Sequence, residues 1–342
     1  LNLRLKDTEQ VGRLLGLCAM GRTGNIRIGI SGWTYKPWRG VFYPEKLPQN
    51  QELAYASRRF PTIEINGTFY GLQKPGAFQR WRESTPEGFV FSIKGSRYIT
   101  HLLRLKNIET PLANFFASGL LRLGGKLGPI LWQFPPNLKF DVDIFAQFLR
   151  ILPKTTMDAG ALAKRHDQRL DGRSWLEWED RRPLRHALEI RHDSFRCERF
   201  IELLREHGVA LVCADTVEWP LLMDVTADFV YCRLHGSKEL YVSGYDDSAL
   251  AAWADRIDAW AHGKEPTNAE RVTPPLPRSK MGRDVYVYFD NDVKVRAPAD
   301  ARSLAERLKI DVSAGADQTA QLPGESILEQ ARPHWPQVRR RR

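Results

Sequence analysis

Cysteine is scarce and unpatterned. Cys18, Cys197, Cys213 and Cys232 are the four in the chain, and none stands in a CxxC pair. That spacing argues against a cysteine zinc site and gives no basis for a disulfide scaffold. The four are read as small buried thiols in a reducing compartment, which points to the cytoplasm. Long apolar runs are also missing. No stretch reaches the roughly 18 residues of a membrane span, so no transmembrane helix and no membrane partner is expected. Leu1–Met20 carries Arg4, Lys6, Asp7, Glu9 and Arg13 and no continuous apolar segment, unlike a secretory signal. No HExxH and no GxxxxGK[ST] occurs. Gly124-Gly125-Lys126-Leu127-Gly128 has the ingredients of a phosphate loop in the wrong order, and reads as a tight turn before a strand. No internal repeat persists at a fixed period.

The chain does carry an excess of positive charge. The formal net charge is +10, of which residues 1–25 and 313–342 hold +2 each and the body +6. A basic body favours anionic ligands, from small phosphates to nucleic acid, although an ordinary basic background gives the same total. Arg339 to Arg342 close the chain in an arginine run, read as a solvated tail with nucleic-acid contact as the alternative. With 42% hydrophobic and 27% charged residues the composition is that of a globular protein. The 342 residues suit two domains of about 150 residues, or one α/β barrel of roughly 250 with additions.

Eight short runs rich in Ile, Val, Phe and Tyr read as strands: Ile26–Ile30, Thr62–Asn66, Phe89–Lys94, Pro129–Gln133, His186–Arg191, Val209–Cys213, Phe229–His235 and Asp284–Phe289. Helical spacing recurs between them, over Gln51–Arg59, Gly76–Glu83, Phe115–Leu123, Asp143–Leu152, Cys197–His207, Leu250–Ala261 and Ala301–Leu308. Asp141 and Asp300 are candidate helix N-caps. Strands alternating with helices imply parallel βαβ units, and eight is the number that closes a barrel. The expected fold is therefore α/β, a TIM-type (β/α)8 barrel in a single domain with insertions and flexible tails; a doubly wound open sheet is the rival. The barrel is placed at 26–312, with an insertion at 155–183 and a proline-rich loop at 263–282. Residues 1–25 form an N-terminal extension in which Met20 is a candidate translation start, and 313–342 a basic tail read as disordered.

A barrel brings strand C-terminal ends to one mouth, where such enzymes place their sites. Those ends here are polar. They offer Trp33, then Glu64 and Asn66 leading to Tyr70, then Lys94 with Tyr98 and His101 close behind, then Gln133. Glu189 and Arg191, Asp215, Arg233 and His235, and Asp290-Asn291 follow. Residues two apart on a strand share a face, so Glu64 and Asn66, Glu189 and Arg191, and Arg233 and His235 point together. Buried polar pairs are costly without partners, which marks the mouth as a site. The competing reading is an ion-pair layer that only fixes the barrel register. Arg191, Arg233 and Lys94 suit an anion's oxygens. Glu64 and Glu189 are candidate general bases, and His101 and His235 candidate acids. Trp33, Tyr70 and Tyr98 present flat faces to a sugar or base. Asn66, Gln133, Asp215 and Asn291 complete the expected substrate contacts. Lys94 is expected to bridge to Glu64 or Glu189, with imine formation as the minor alternative.

These residues imply an enzyme that hydrolyses or lyses a small phosphate- or carboxylate-bearing substrate by acid–base catalysis, with no cofactor required. In that scheme Glu189→Gln abolishes turnover and leaves the fold intact. A metal-dependent phosphodiesterase acting on nucleic acid is the second reading, since Glu64, Glu189, Asp215, His235 and Asp290 are of metal-ligating type. A non-catalytic nucleic-acid or metabolite binder is the third. The oligomeric state has no signature in the sequence.

Several blocks in order also resemble the domain-of-unknown-function-72 family, the YecE-like proteins. They are Gly29-Ile30-Ser31-Gly32-Trp33, Trp38-Arg39-Gly40-Val41-Phe42-Tyr43-Pro44, Glu64-Ile65-Asn66-Gly67-Thr68-Phe69-Tyr70, Phe91-Ser92-Ile93-Lys94, Thr100-His101 and the run from Leu127 to Pro136. Glu189-Ile190-Arg191-His192, Ala214-Asp215, Val230 to Gly236, and Tyr286 to Asn291 continue the match, which runs from about Ile26 to Leu308. The resemblance implies a TIM-type barrel and no assigned activity. Asp290 and Gly67 depart from it, standing where the family often has Asn and Ser.

Overall fold

The computed structural model describes residues 22–236, 244–291 and 295–311. The extension up to residue 21, with Met20, and the tail from residue 312 lie outside the described residues. Eight parallel strands close into a barrel in sequence order: β1 Ile26–Ser31, β2 Thr62–Ile65, β3 Val90–Lys94, β4 Leu127–Gln133, β5 His186–Glu189, β6 Ala210–Asp215, β7 Phe229–Leu234 and β8 Asp284–Phe289. β8 returns to β1 with Ile26 opposite Val285 and Ile30 opposite Phe289. This is a (β/α)8 barrel; the open sheet is excluded by that closure. No helix among the described residues is long and apolar enough to cross a membrane.

The outer helices are α1 Glu52–Ser57, α2 Gly67–Tyr70, α3 Pro75–Glu83, α4 Glu109–Ala117, α5 Val142–Ile151, α6 Thr156–Ala163, α7 Glu198–His207, α8 Asp247–Ala261 and α9 Ala297–Arg307. Asp141 caps α5 as expected, its side chain accepting from the amides of Asp143 and Ile144. Asp300 does not cap. Pro298 starts α9 at Ala297, which puts Asp300 inside the first turn, buried, where it accepts from the Tyr245 amide and Asn291 Nδ2. The helix expected over Phe115–Leu123 lies earlier, because Gly119 at φ 113° breaks it and a 3-10 stretch follows. The insertion at 155–183 contains α6, begun by a reciprocal capping box between Thr155 and Asp158. The glycine stretch is split between the end of the 3-10 segment, at Lys126, and the start of β4, at Leu127; Lys126 has a structural role, its Nζ donating to the carbonyls of Arg82 and Thr85 and to Thr85 Oγ1.

The lumen is packed by size complementarity. Ala187, Ala210 and Ala214 make room for Tyr231, Tyr286 and Tyr288. Their hydroxyls find partners within the barrel, since a buried phenol needs one. Tyr288 lies 2.7 Å from Thr62 Oγ1, and Tyr231 lies 2.6 Å from Ser92 Oγ. Tyr231 also donates to Glu64 at 2.6 Å, so the packed lumen passes directly into the polar layer at the mouth.

Candidate active site

Arg233 organises that layer. The C-terminal end of β7 carries it into the lumen, where it is 0% exposed. Its Nε and Nη2 grip Glu64 from β2 at 3.1 and 2.9 Å, Nη1 donates to Glu189 from β5 at 2.7 Å, and Nη2 to Asp290 after β8 at 2.7 Å. Burial alone would weaken the guanidinium and raise the acids, but mutual attraction wins. Arg233 is pushed well above its ordinary range, and Glu189 and Asp290 are held well below theirs. Glu189 is further held by Arg191, through Nε at 2.8 Å and Nη2 at 2.7 Å, and by Gln133 Nε2 at 2.8 Å. Arg191 in turn stacks on Trp219, 4.0 Å from the ring centroid. His235 lies against the same acids, its Nδ1 3.2 Å from Asp290 Oδ2 and Nε2 3.9 Å from Glu189 Oε2.

The layer is electrically balanced, with Glu64, Glu189 and Asp290 facing Arg233, Arg191 and Lys94. Lys94 departs from the expected bridge to Glu64 or Glu189. The arginines, Ser31, Tyr231 and Gln133 occupy those carboxylates. Among the described residues Lys94 has no acid within ion-pair distance; its Nζ sits 4.5 Å from the centroid of the Phe69 ring. Burial, with help from Arg233, lowers its pKa to about 8 against the opposing pull of Glu64, Asp290 and Glu189. His101 is half-buried beside it, with Nδ1 2.8 Å from Thr100 Oγ1 and its ring edge-on to Phe69. Burial, then Arg191, Lys94 and Arg97, bring its pKa down to about 4.

A cleft of about 610 Å³ opens above one side of the layer. Trp33, Tyr35, Tyr70 and Trp81 wall it; Trp33 meets Trp81 edge-on at 5.6 Å, and Tyr70 is 72% exposed at the rim. Lys94, Asp290 and Asn66 form its polar side. Asn66 Nδ2 donates to Ser31 Oγ at 3.0 Å, and Ser31 passes the bond to Glu64 at 2.7 Å. Among the described residues, Asn66 Oδ1 is buried without a hydrogen-bond donor.

The remaining expected residues fall elsewhere. Asp215 accepts from Trp253 Nε1 at 2.8 Å, which ties β6 to α8. Asn291 is buried against Asp300 of α9 at 2.7 Å. Tyr98 is exposed in a single π turn, Tyr98–Leu102, that also carries His101. Glu64, Glu189, Arg233 and His235 are all 0% exposed and lie under the cleft rather than along it. Among the described residues no group of three His, Cys, Asp or Glu side chains is arranged to hold a metal ion. Of the carboxylates that suggested one, Glu64, Glu189 and Asp290 surround the Arg233 guanidinium, and Asp215 holds Trp253.

The family model described as "Protein of unknown function DUF72" matches residues 27–325. The chain belongs to the DUF72 family. The UPF0759 protein YunF of Bacillus subtilis is 29% identical over 116 residues, covering 32% of this chain and 40% of YunF. The UPF0759 protein YecE of Escherichia coli K12 is 31% identical over 127 residues, covering 33% of this chain and 44% of YecE. The matched region thus spans less than half the length of either curated relative. A DUF72 protein of Thermotoga maritima superposes with a TM-score of 0.62 at 23% identity, covering 83% of this chain and 99% of its own. One of Enterococcus faecalis gives 0.59 at 17%, covering 87% and 100%. These likenesses show that the chain shares its overall fold with those two DUF72 proteins.

Several residues of this DUF72 site escaped the sequence reading, Tyr35 of the cleft wall and Phe69 beside Lys94 among them. Ser31 and Tyr231 complete the Glu64 shell; Tyr231 stands two before Arg233, and that period of two would have found it. Trp81 and Trp219 are brought in by α3 and by the loop after β6, and no local pattern separates them from core tryptophans.

Proposed function

We propose that the protein is an enzyme that acts by acid–base chemistry on a small phosphate- or carboxylate-bearing substrate bound in the aromatic cleft. One observation carries the reading: Lys94 presents an ammonium to the cleft with no acid in ion-pair distance among the described residues, while the arginines below are engaged by carboxylates. An anion bound there gains the field of Lys94, and only with Lys94 counted do the cations of the site balance its three carboxylates, so the anion's attraction rests on that lysine. Trp33 and Trp81 receive the apolar face of the substrate, and Asn66 Oδ1 accepts from a hydroxyl or amine. Asp290 is the proton acceptor that the cleft offers: it lines the cleft, and Arg233 and His235 hold it ionised against the effect of burial, which makes it a weak base suited to a strongly activated proton. In this scheme Arg233, Glu64 and Glu189 position Asp290 and do not touch the substrate.

Thermal shift with inorganic phosphate and with small dicarboxylates tests the reading. The wild type rises in melting temperature with at least one of these anions, and Lys94→Met abolishes the rise. A rise of equal size in Lys94→Met, or no response to any anion, overturns it.

A further inference from the structure

We propose that Lys94 is an imine-forming residue: its Nζ condenses with the carbonyl carbon of a small anionic aldehyde or ketone held in the cleft. The inference rests on the cleft being the active site and names the reacting group of its substrate.

Two lysines make the contrast. Lys126 shows what a structural lysine looks like here, with Nζ donating to two carbonyls and one hydroxyl. Lys94 is more deeply buried, 8% exposed, and no hydrogen bond holds its Nζ among the described residues. The chain places three carboxylates in the layer below and gives all of them to arginines. Lys94 instead faces an open cleft. A buried ammonium that among the described residues has the Phe69 ring but no hydrogen-bond or ion-pair partner is costly as a structural element and useful as a nucleophile, which must be neutral and reachable. The charged groups around it are Arg233, Glu64, Asp290 and Glu189, and burial with Arg233 prevails. With a pKa of about 8 rather than 10.5, on the order of 300-fold more of Lys94 is free amine at neutral pH than of an ordinary lysine.

The step balances without any further reactant. The Nζ lone pair forms the C–N bond while the carbonyl π pair moves to oxygen, and a proton passes from nitrogen to that oxygen. The hydroxyl then takes a proton from solvent and leaves as water as the C=N bond forms. Counted from the ammonium, one water is released and the positive charge stays on the iminium, so attraction for the substrate's anionic group persists. The iminium withdraws electrons from the neighbouring carbon, and Asp290 on the same cleft is the base for a proton lost there. This chemistry makes the lytic branch of the proposed function the favoured one.

Reductive trapping tests it on the full chain. The protein is incubated with glyoxylate, a carboxylated aldehyde, and cyanoborohydride, and each lysine is mapped by peptide mass spectrometry. Because nucleophilicity falls with basicity, the gain in free amine is partly offset, and Lys94 should be carboxymethylated roughly tenfold faster than exposed lysines such as Lys36 and Lys139. Lys94→Arg keeps the charge, loses the adduct, and leaves labelling at the other lysines unchanged. Modification of exposed lysines with Lys94 unmodified in folded wild-type protein overturns the imine. If phosphate still raises the melting temperature in that case, Lys94 is an anion contact only; an adduct at Lys94 without any anion response upholds the imine and removes the anion reading alone.

Discussion

Replacing Arg233 with methionine removes the charge that three buried carboxylates share, while keeping much of the side-chain volume. Glu64, Glu189 and Asp290 each lose an ion pair of 2.7 to 2.9 Å, and Glu64 and Glu189 are 0% exposed. Breaking a buried pair by deleting one partner costs about 3–5 kcal/mol, because the abandoned charge stays desolvated. Glu189 retains Arg191 and Gln133, and Glu64 retains Tyr231 and Ser31, so the lower end of that range is expected rather than a threefold sum. Even about 3 kcal/mol is a large share of the roughly 5–15 kcal/mol that holds a domain together, and lowers the melting temperature of a barrel this size by about 5 °C. The pH dependence also flattens. In the wild type the folded pKa values of Glu189 and Asp290 are depressed, so they contribute stability above the unfolded carboxylate pKa, and it is lost as pH falls. In Arg233→Met that depression is weakened, least at Glu189, which keeps Arg191, so the variant loses less stability than the wild type between pH 7 and pH 4. Urea unfolding at both pH values checks this. A variant within 1 kcal/mol of wild type at pH 7, with the wild-type pH dependence, would refute the central role given to Arg233, and would fit instead an arginine that only holds substrate.

Glu189→Gln should destabilise the protein measurably at pH 7, by roughly 2–4 kcal/mol in urea unfolding, since it strips charge from two arginine contacts; a fully stable variant contradicts the ion-pair assignment, and loss of turnover alone does not identify Glu189 as a base. His101 should titrate near pH 4 by imidazole NMR. Its folded pKa lies below the unfolded value of about 6.5, so its contribution to stability is present above that value and is lost as pH falls toward 4. A midpoint at or above 6.5 would show that the cations around it are screened.

The fold was legible because barrel geometry repeats a local pattern. Eight β-branched and aromatic runs, each followed by a helical period, fix both strand count and parallel order, and the closure of β8 on β1 follows. The pairs Glu64–Asn66, Glu189–Arg191 and Arg233–His235 were legible for the same reason, since the alternation of a strand puts them on one face. Which cation meets which acid was not legible, because it depends on distances across the lumen. Arg233 and Lys94 are both basic residues at strand ends, yet one reaches the lumen and the carboxylates of three other strands or loops. The other stops beside Phe69 at the cleft. The difference follows from the longer, forked guanidinium, which can bond several carboxylates at once, whereas a single ammonium cannot replace that fork. The ion-pair reading and the active-site reading of the mouth are therefore two depths of one structure. The layer is tolerated because Arg233 and Arg191 pair its three carboxylates, and that pairing is what leaves Lys94 available at the surface of the cleft. A substitution that frees Glu64 from Arg233 should hand it to Lys94, raise the lysine's pKa and slow its modification by glyoxylate, even though the substituted residue never touches the aldehyde.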